Sequence, residues 1–308
     1  MGFNFLTEKN KPHEKNILNP MEIRIINDRC TRCMLCVKDC AAAVWQEDNG
    51  VPRAAFPEAC TLCSHCLCVC PAGAIEHSGL DPLQIKRIDK ALLNPDGYET
   101  VVRGRRSIRH FRDLQVPEDI LQKVIGLAGH TPTATNSQNV AYTVITDKEI
   151  LKKISQTIFG FSVKLFHFTQ RFPGNLIYKF IRAFSWSEVI SRYLDPMPYY
   201  INETKKGRDL ILHNAPALIL IHAPKGKNFS CENCNLAAAN IMNFAYSMGL
   251  GTCYIGFLTL YLKHSKKLRK RVCIPETRMV YAALVMGVPA FGHTRTASRK
   301  NPEIKWLK

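Results

Sequence analysis

No stretch of this 308-residue chain offers the ~18 uncharged apolar residues that a bilayer-spanning helix needs. The opening run Met1-Gly-Phe-Asn-Phe-Leu-Thr-Glu-Lys-Asn-Lys-Pro12 loses its apolar character within a few positions, so neither a secretory signal nor a membrane anchor is expected there. No Gly-x-Gly-x-x-Gly unit follows a strand-like run, which argues against a dedicated dinucleotide-binding domain. Acid is also scarce, with 25 Asp and Glu against 42 Lys and Arg and a formal net charge of +17. What is plentiful is cysteine, with 13 residues. In a short secreted chain that would imply disulfides, but this chain is long and its cysteines cluster, so a reducing, cytoplasmic interior is expected.

The shortage of acid is uneven. Residues 1–80 carry eight Lys and Arg against nine Asp and Glu, whereas the residues after 80 carry 34 against 16. The two parts are electrostatically opposite, which favours docking of one on the other or attraction of an acidic low-potential electron donor to the basic part. A largely solvated basic surface is the simpler reading for any single Lys.

Two matched cysteine blocks lie in the first part. They read Cys30-Thr-Arg-Cys33-Met-Leu-Cys36-Val-Lys-Asp-Cys40 and Cys60-Thr-Leu-Cys63-Ser-His-Cys66-Leu-Cys68-Val-Cys70-Pro71. Both follow C-x2-C-x2-C-x3-C, the spacing by which three thiolates wrap one corner of a 4Fe–4S cube while the fourth reaches a second cube. Two zinc knuckles are the alternative, but zinc takes four ligands and leaves members of each run unexplained. Glu22-Ile-Arg-Ile-Ile26 alternates as a short strand, Asn49-Gly50 between apolar residues suggests a hairpin, and Gly73-Ala-Ile-Glu76 supplies a closing strand. This much resembles a bacterial-type two-cluster ferredoxin. The resemblance implies one cluster on Cys30, Cys33, Cys36 and Cys70, and a second on Cys60, Cys63, Cys66 and Cys40. Cys40 is followed by Ala41 where that pattern often has Pro. Cys68 falls outside the pattern and is expected to be a small buried residue.

The chain is therefore divided into an arm at 1–20, a two-cluster domain at 21–80, a connecting segment at 81–99 and a second domain at 100–308. In the connecting segment a short helix is expected from Leu83 to Leu93, ended by Asn94-Pro-Asp-Gly97. Later, helices are expected after Pro117, from Asp147 onward and from Leu236 to Met248, with strands at 140–146, 217–222 and 279–287. Long helices with few strands indicate an α+β domain.

Three stretches of the second domain carry chemistry. Arg105-Arg106-Ser107-Ile-Arg109-His-Phe111 sets guanidinium groups around a hydroxyl, an arrangement suited to a phosphate and to placing positive charge beside an electron-accepting ring. Pro132-Thr133-Ala134-Thr-Asn136-Ser-Gln138-Asn139 is a turn-forming run of amides and hydroxyls able to line a polar ligand or simply to form a surface loop. Gly249-Leu250-Gly251-Thr-Cys-Tyr-Ile-Gly256 follows a buried helix, and its glycines permit close backbone approach to a flat ring or end the helix.

In this order, the three stretches resemble the nitroreductase family of flavoproteins, as do His213-Asn-Ala-Pro216 and the closing Gly287-Val-Pro289 with Arg299-Lys300-Asn-Pro302. The resemblance spans about residues 100–305 and implies FMN held between the subunits of an intertwined homodimer. Arg105, Ser107 and Arg109 would meet its phosphate, ribityl chain and pyrimidine edge, with Arg106 in the same motif, Gly249, Leu250 and Gly251 on the flavin-side loop, and Arg299 and Lys300 completing the phosphate site. Pro132, Thr133, Ala134, Asn136 and Gln138 would approach from the partner subunit, although Gln138-Asn-Val stands where the family typically has Gln-Pro-Trp. No catalytic base is required. Arg109 is the candidate charge that stabilises an anionic reduced ring.

The expected activity is that of an oxidoreductase in which clusters pass single electrons to FMN, which delivers pairs to a nitroaromatic, quinone or activated alkene. Reaction with NAD(P)H directly at the flavin is compatible with the resemblance. A non-catalytic electron carrier or redox sensor is the competing class. The aromatic and basic segment 159–186 is read as a substrate lid or dimer wrapping, ahead of membrane-surface contact. Lys263–Arg271, with six Lys or Arg in nine residues, is read as an exposed helix face, then as a dock for an acidic donor, and nucleic acid comes last. Cys231 and Cys234 are given a structural role, and Cys253 and Cys273 are taken as packing residues.

Overall fold

In a computed structural model, residues 21–183 and 194–308 are described. The arm at 1–20 and positions 184–186 of the aromatic segment lie outside them. The chain separates into two compact units between Leu92 and Leu93.

The first unit is built twice over. Strand β1 (Ile23–Ile25) pairs antiparallel with β4 (Ile75–His77), and β2 (Trp45–Asp48) with β3 (Val51–Ala54). Asn49 (φ 52) and Gly50 (φ 77) are both left-handed, as the tight turn between β2 and β3 demands. A shift of 30 residues lays the first cysteine block on the second. The same shift lays helix α1 (Leu35–Asp39) on α2 (His65–Val69), and left-handed Arg32, Met34 and Ala43 on Leu62, Ser64 and Gly73. The apolar core is small, with Ile23, Val44, Trp45, Ile75 and the Cys36 thiol buried and Cys60, Cys66 and Cys70 packed beside them. A unit of this size usually needs a staple beyond such a core.

The connecting segment departs from expectation. Between 83 and 93 there is no α-helix but two short 3-10 turns, Pro82–Gln84 and Lys90–Leu92. Leu83, Ile88, Leu92 and Leu93 are all exposed, so no buried stripe holds a helix together. Asn94-Pro-Asp-Gly97 starts a helix instead of ending one. The Asn94 side chain accepts the Gly97 N–H at 3.0 Å, and Pro95 opens α3 (Pro95–Gly104) at its first turn, where a missing N–H costs nothing.

The second unit is a three-layer sandwich. The family resemblance implies a mixed sheet flanked by helices, but the described strands are all antiparallel, in the order β5 (Ala141–Ile145), β6 (Ala217–Pro224), β8 (Arg278–Gly287), β7 (Gly251–Tyr254), and parallel pairing is confined to the isolated bridge between Ser107 and Thr252. Alternation decides the faces. Leu218, Leu220, Ala283 and Val285 pack with Leu151, Ile154 and Ile158 of α5 (Lys148–Thr169) and Leu258 and Leu262 of α9 (Gly256–His264). Ala217, Ile219, Ile221, Leu284 and Met286 face Leu121 and Val124 of α4 (Glu118–Ala128) and Ala237, Ile241 and Ala245 of α8 (Ser230–Ser247). Asp147 caps α5 by accepting the Ile150 N–H at 2.8 Å. The helix expected from Leu236 begins at Ser230 and ends at Ser247, because Cys234 of the Cys231–Cys234 pair is already on its buried face. Among the described residues the remaining helices are α6 (Gly174–Ala183), α7 (Met197–Lys205) and α10 (Lys266–Arg271). The basic run forms the end of α9 and α10, where Arg269 donates to the Leu262 and Lys263 carbonyls while its other Lys and Arg are exposed. Among the described residues no helix is long and apolar enough to cross a membrane.

Candidate functional site

The cysteines gather as two sets. Cys30, Cys33, Cys36 and Cys70 line one small hollow, together with Ile25, Pro52, Ala74 and Ile75. Cys60 lies within electrostatic reach of Cys63 and Cys40, and Cys66 of Cys60 and Cys63. All are free thiols. Among the described residues no three His, Cys, Asp or Glu converge closely enough to hold a single metal ion, whose thiolates would lie about 3.8 Å apart around zinc.

Backbone donors point at the sulfurs. Ala74 N–H donates to Cys70 Sγ at 3.3 Å and Leu62 N–H to Cys60 Sγ at 3.4 Å. The Leu35 N–H and the Thr31 hydroxyl hold the Cys33 thiol below its ordinary pKa. Burial pushes Cys36, Cys60 and Cys66 up, and neighbouring thiolates push in the same direction, so these groups ionise together only if positive charge arrives among them. Two ring donors are also present. His77, its pKa lowered by burial, places Nε2 at 3.3 Å from Cys60 Sγ. The Trp45 indole N–H is buried without a partner at hydrogen-bond geometry, and it faces Cys66 closely enough to favour the thiolate. Two expectations fail here. Cys68 is exposed, because it sits two residues from both Cys66 and Cys70 on α2 and so turns away from them. Cys273 is exposed as well, at a left-handed φ of 56 just after α10; Cys253 is buried as expected.

In the second unit, three distant stretches meet on one sheet edge. The Ile108 N–H donates to the Thr252 carbonyl at 2.9 Å, and Ser107 bridges Thr252 in parallel register. Further along, Arg112 N–H donates to Val288 O and Ala290 N–H to His110 O, both at 2.9 Å. Glycine allows this contact. A Cβ at Gly251 would sit 2.7 Å from Ile108 Cγ1, and one at Gly287 would sit 2.6 Å from Pro216 Cδ and 2.9 Å from Phe111. Gly249 (φ 77) turns the chain at the end of α8, after which the Leu250 N–H donates to Ala245 O at 2.9 Å.

The edge is cationic. Burial pushes the Cys253 thiol up, while Arg109, the Ser107 hydroxyl and Arg105 pull it down. Burial drives the His213 imidazole to about 4, with Arg109, His110 and Arg208 adding to the fall and Asp209 opposing it. Beside Ser107, the Thr252 hydroxyl is buried with no hydrogen-bond partner. Arg106 differs from its neighbours, since it spends its guanidinium on the Arg103, Arg105 and Arg295 carbonyls at 2.8, 2.6 and 3.3 Å. It thereby ties the tail to the opening motif. Arg299 and Lys300 are exposed on that tail, with Arg299 turned to Ser298 O at 3.4 Å.

The loop at 132–139 lies elsewhere. Asn233, on the first turn of α8, accepts the Ala134 N–H at 3.2 Å and donates toward Ser137 Oγ and Asn139 Oδ1 at 3.4 and 3.3 Å. Asn240 donates to Thr131 Oγ1 at 2.8 Å, and Thr133 Oγ1 accepts the Gln138 N–H at 3.0 Å. Arg278 completes the latch by donating to Asn139 O at 2.6 Å, His222 O at 3.0 Å and His222 Nδ1 at 2.8 Å. From Asn233 to the end of α8, near the arginine edge, the helix advances about 21 Å. Asn136 and Gln138 are thus held at the far end of α8 from Arg105 and Arg109. Sequence reasoning missed Asn233, Asn240, His222 and Arg278, because single polar residues within apolar helices and strands carry no motif.

A helix-flanked antiparallel sheet with an arginine-rich segment laid along its edge strand makes this unit an α+β domain. A family profile described as the Nitroreductase family matches residues 102–288. The chain belongs to the Nitroreductase family and is an oxidoreductase of that type. A protein of Archaeoglobus fulgidus provisionally described as an NADH dehydrogenase/NAD(P)H nitroreductase is 25% identical over 190 residues, covering 60% of this chain and 81% of that one. One of the same description from Methanothermobacter thermautotrophicus is 23% identical over 207 residues, 66% of this chain and 82% of that one. Among solved structures, a nitroreductase with bound FMN from Bacteroides fragilis matches at TM-score 0.50 and 17% identity, covering 70% of this chain and 100% of that one.

Proposed function

We propose that this chain is a cytoplasmic iron–sulfur flavoprotein, an FMN-dependent oxidoreductase of nitroreductase type that also carries two 4Fe–4S clusters. The observation that carries the cluster reading is the hollow lined by Cys30, Cys33, Cys36 and Cys70, the four residues that the ferredoxin resemblance implies for one cube. Cys40, Cys60, Cys63 and Cys66 form the second set. Iron would supply the positive charge that lets these crowded thiols ionise together.

FMN fits the arginine edge on family membership and on the unpartnered Thr252 hydroxyl beside Ser107. When bound, the clusters carry single electrons and the flavin pools them in pairs for a small acceptor such as a nitroaromatic, quinone or activated alkene. Arg105 and Arg109 bind and hold negative charge at this edge, and Ser107 and Thr252 supply hydroxyls. Gly251 lets Ile108, and with it the arginine segment, close on β7. His213, neutral at physiological pH, leaves the positive charge of this edge to the arginines. The separation of Asn136 and Gln138 from this edge supports a homodimer in which each flavin is completed by the second copy's 132–139 loop. NAD(P)H is proposed as a direct donor, in line with the descriptions of the two archaeal relatives.

The test is anaerobic reconstitution with iron, sulfide and FMN, followed by stopped-flow reduction with a reduced low-potential donor. Cys63→Ser with Cys66→Ser should collapse flavin reduction by that donor while leaving FMN bound. Arg105→Ala with Arg109→Ala should release FMN while leaving iron and sulfide. Unchanged flavin reduction in the first variant, or unchanged FMN affinity in the second, would defeat the corresponding half of the reading.

A further inference from the structure

We propose that His77 and Trp45 are built-in hydrogen-bond donors to the cluster held by Cys40, Cys60, Cys63 and Cys66, and that they raise its reduction potential relative to the other cluster. The proposal rests on the cluster reading above and adds an asymmetry that the cysteine spacing does not contain.

The His77 ring is fixed by its other nitrogen. The Gly79 N–H donates to Nδ1 at 3.0 Å, so Nδ1 is an acceptor and the ring proton of a neutral imidazole resides on Nε2. That nitrogen lies 3.3 Å from Cys60 Sγ, and the bond is therefore N–H donating to sulfur. The ring is clamped in place. His77 is paired with Ile23 across β1 and β4, is 8% exposed, and packs so closely on Gly79 that a Cβ there would stand 3.2 Å from its Cε1. Trp45 is 2% exposed, and its indole N–H, buried without a partner at hydrogen-bond geometry, lies near enough to Cys66, a second member of the same set, to favour the thiolate.

The internal repeat supplies the control. Under the 30-residue shift, Cys60 corresponds to Cys30 and Cys66 to Cys36, while His77 corresponds to Glu47 and Trp45 to Ile75. Ile75 lines the hollow of the Cys30 set, the place that Trp45 holds beside Cys66, and its side chain has no N–H to give. Glu47 is exposed on β2 and likewise brings no donor. The nearest polar side chain is not a source of asymmetry, because Thr31, which favours the Cys33 thiolate, is matched by Thr61. Lys38, which acts on Cys33, is replaced by Cys68, but at the two ring positions only the Cys60 set gains an N–H. An N–H donated to a ligand sulfur stabilises the reduced, more negative cluster more than the oxidised one, and so raises its potential.

The test is an anaerobic, EPR-monitored redox titration of the reconstituted full-length protein, with iron and acid-labile sulfide measured on every sample. Cys33→Ser and Cys63→Ser variants, each perturbing one cluster, assign the two signals. His77→Leu should make reduction of the Cys60 cluster about tenfold less favourable, about 59 mV for a one-electron couple, and leave the other cluster in place. Trp45→Phe should move the same cluster in the same direction, and His77→Gln, which keeps a side-chain N–H, should recover part of the loss. Unchanged potentials at full iron and sulfide content, or a shift on the other cluster, overturn the proposal. Wild-type protein that takes up no sulfide overturns the cluster reading, and this proposal with it.

Discussion

Mild acid should loosen the 131–139 loop while the sheet beneath it stays closed. The perturbation acts on His222, which is buried on β6, accepts the Arg278 Nε–H at Nδ1 and meets Thr143 Oγ1 at 3.1 Å through Nε2. Burial first, and the Arg278 charge second, lower its pKa to about 4 from 6.5. The latched state therefore binds fewer protons than the open one. Its stability is complete above about 6.5 and drains away as pH falls toward 4. Between pH 7 and 5 the loss has a ceiling of about 2 kcal/mol at 1.36 kcal/mol per pKa unit, which solvent at the rim of the site reduces to about 1 kcal/mol, a factor of about five. Once His222 is protonated at Nδ1, two donors face each other and Arg278 loses its hold on the Asn139 carbonyl. Hydrogen exchange read by mass spectrometry at pH 7 and 5, corrected for intrinsic rates, should show about fivefold less protection in loop peptides. His222→Gln, which keeps an acceptor and does not titrate, should remove that dependence. Peptides around His213, depressed to about 4 in its own right, should keep theirs. The same pH dependence in wild type and variant would refute the reasoning.

Two further outcomes are expected. Gly251→Ala sets a methyl 2.7–2.9 Å from three Ile108 side-chain atoms, so it should cost about 1–3 kcal/mol and weaken FMN retention, measured by thermal melting and flavin titration. Asn233→Ala leaves the Ala134 N–H without its acceptor; at about 1–3 kcal/mol for such a loss, it should speed exchange in the 131–139 loop and leave the β7–β8 pair unchanged.

The elements legible in the sequence were those with a local cause. Nearly unbroken apolar runs wrote β6 and β8, an Asp cap marked the start of α5, and Asn49-Gly50 marked the hairpin. The cysteine sets came from the ferredoxin resemblance, and the hollow lined by Cys30, Cys33, Cys36 and Cys70 is what the structure adds. Legibility failed where a local signal has two meanings. Asn94-Pro-Asp-Gly97 serves equally to end a helix or to begin one, and only the exposure of Leu83 to Leu93 decides between them. It failed also where a role depends on a distant partner. Arg106 looks like a ligand-binding arginine, but its hydrogen bonds go to backbone carbonyls, one of them 189 residues away. Asn233 lay inside a pair of cysteines that drew attention away from it.

The hollow lined by Cys30, Cys33 and Cys36 is completed by Cys70, from the end of the second block. A ribosome delivering this chain from its N-terminus presents three ligands of that cage well before the fourth exists. On the cluster reading, maturation must wait until both blocks have emerged, and a chain truncated between them should leave neither cage closed.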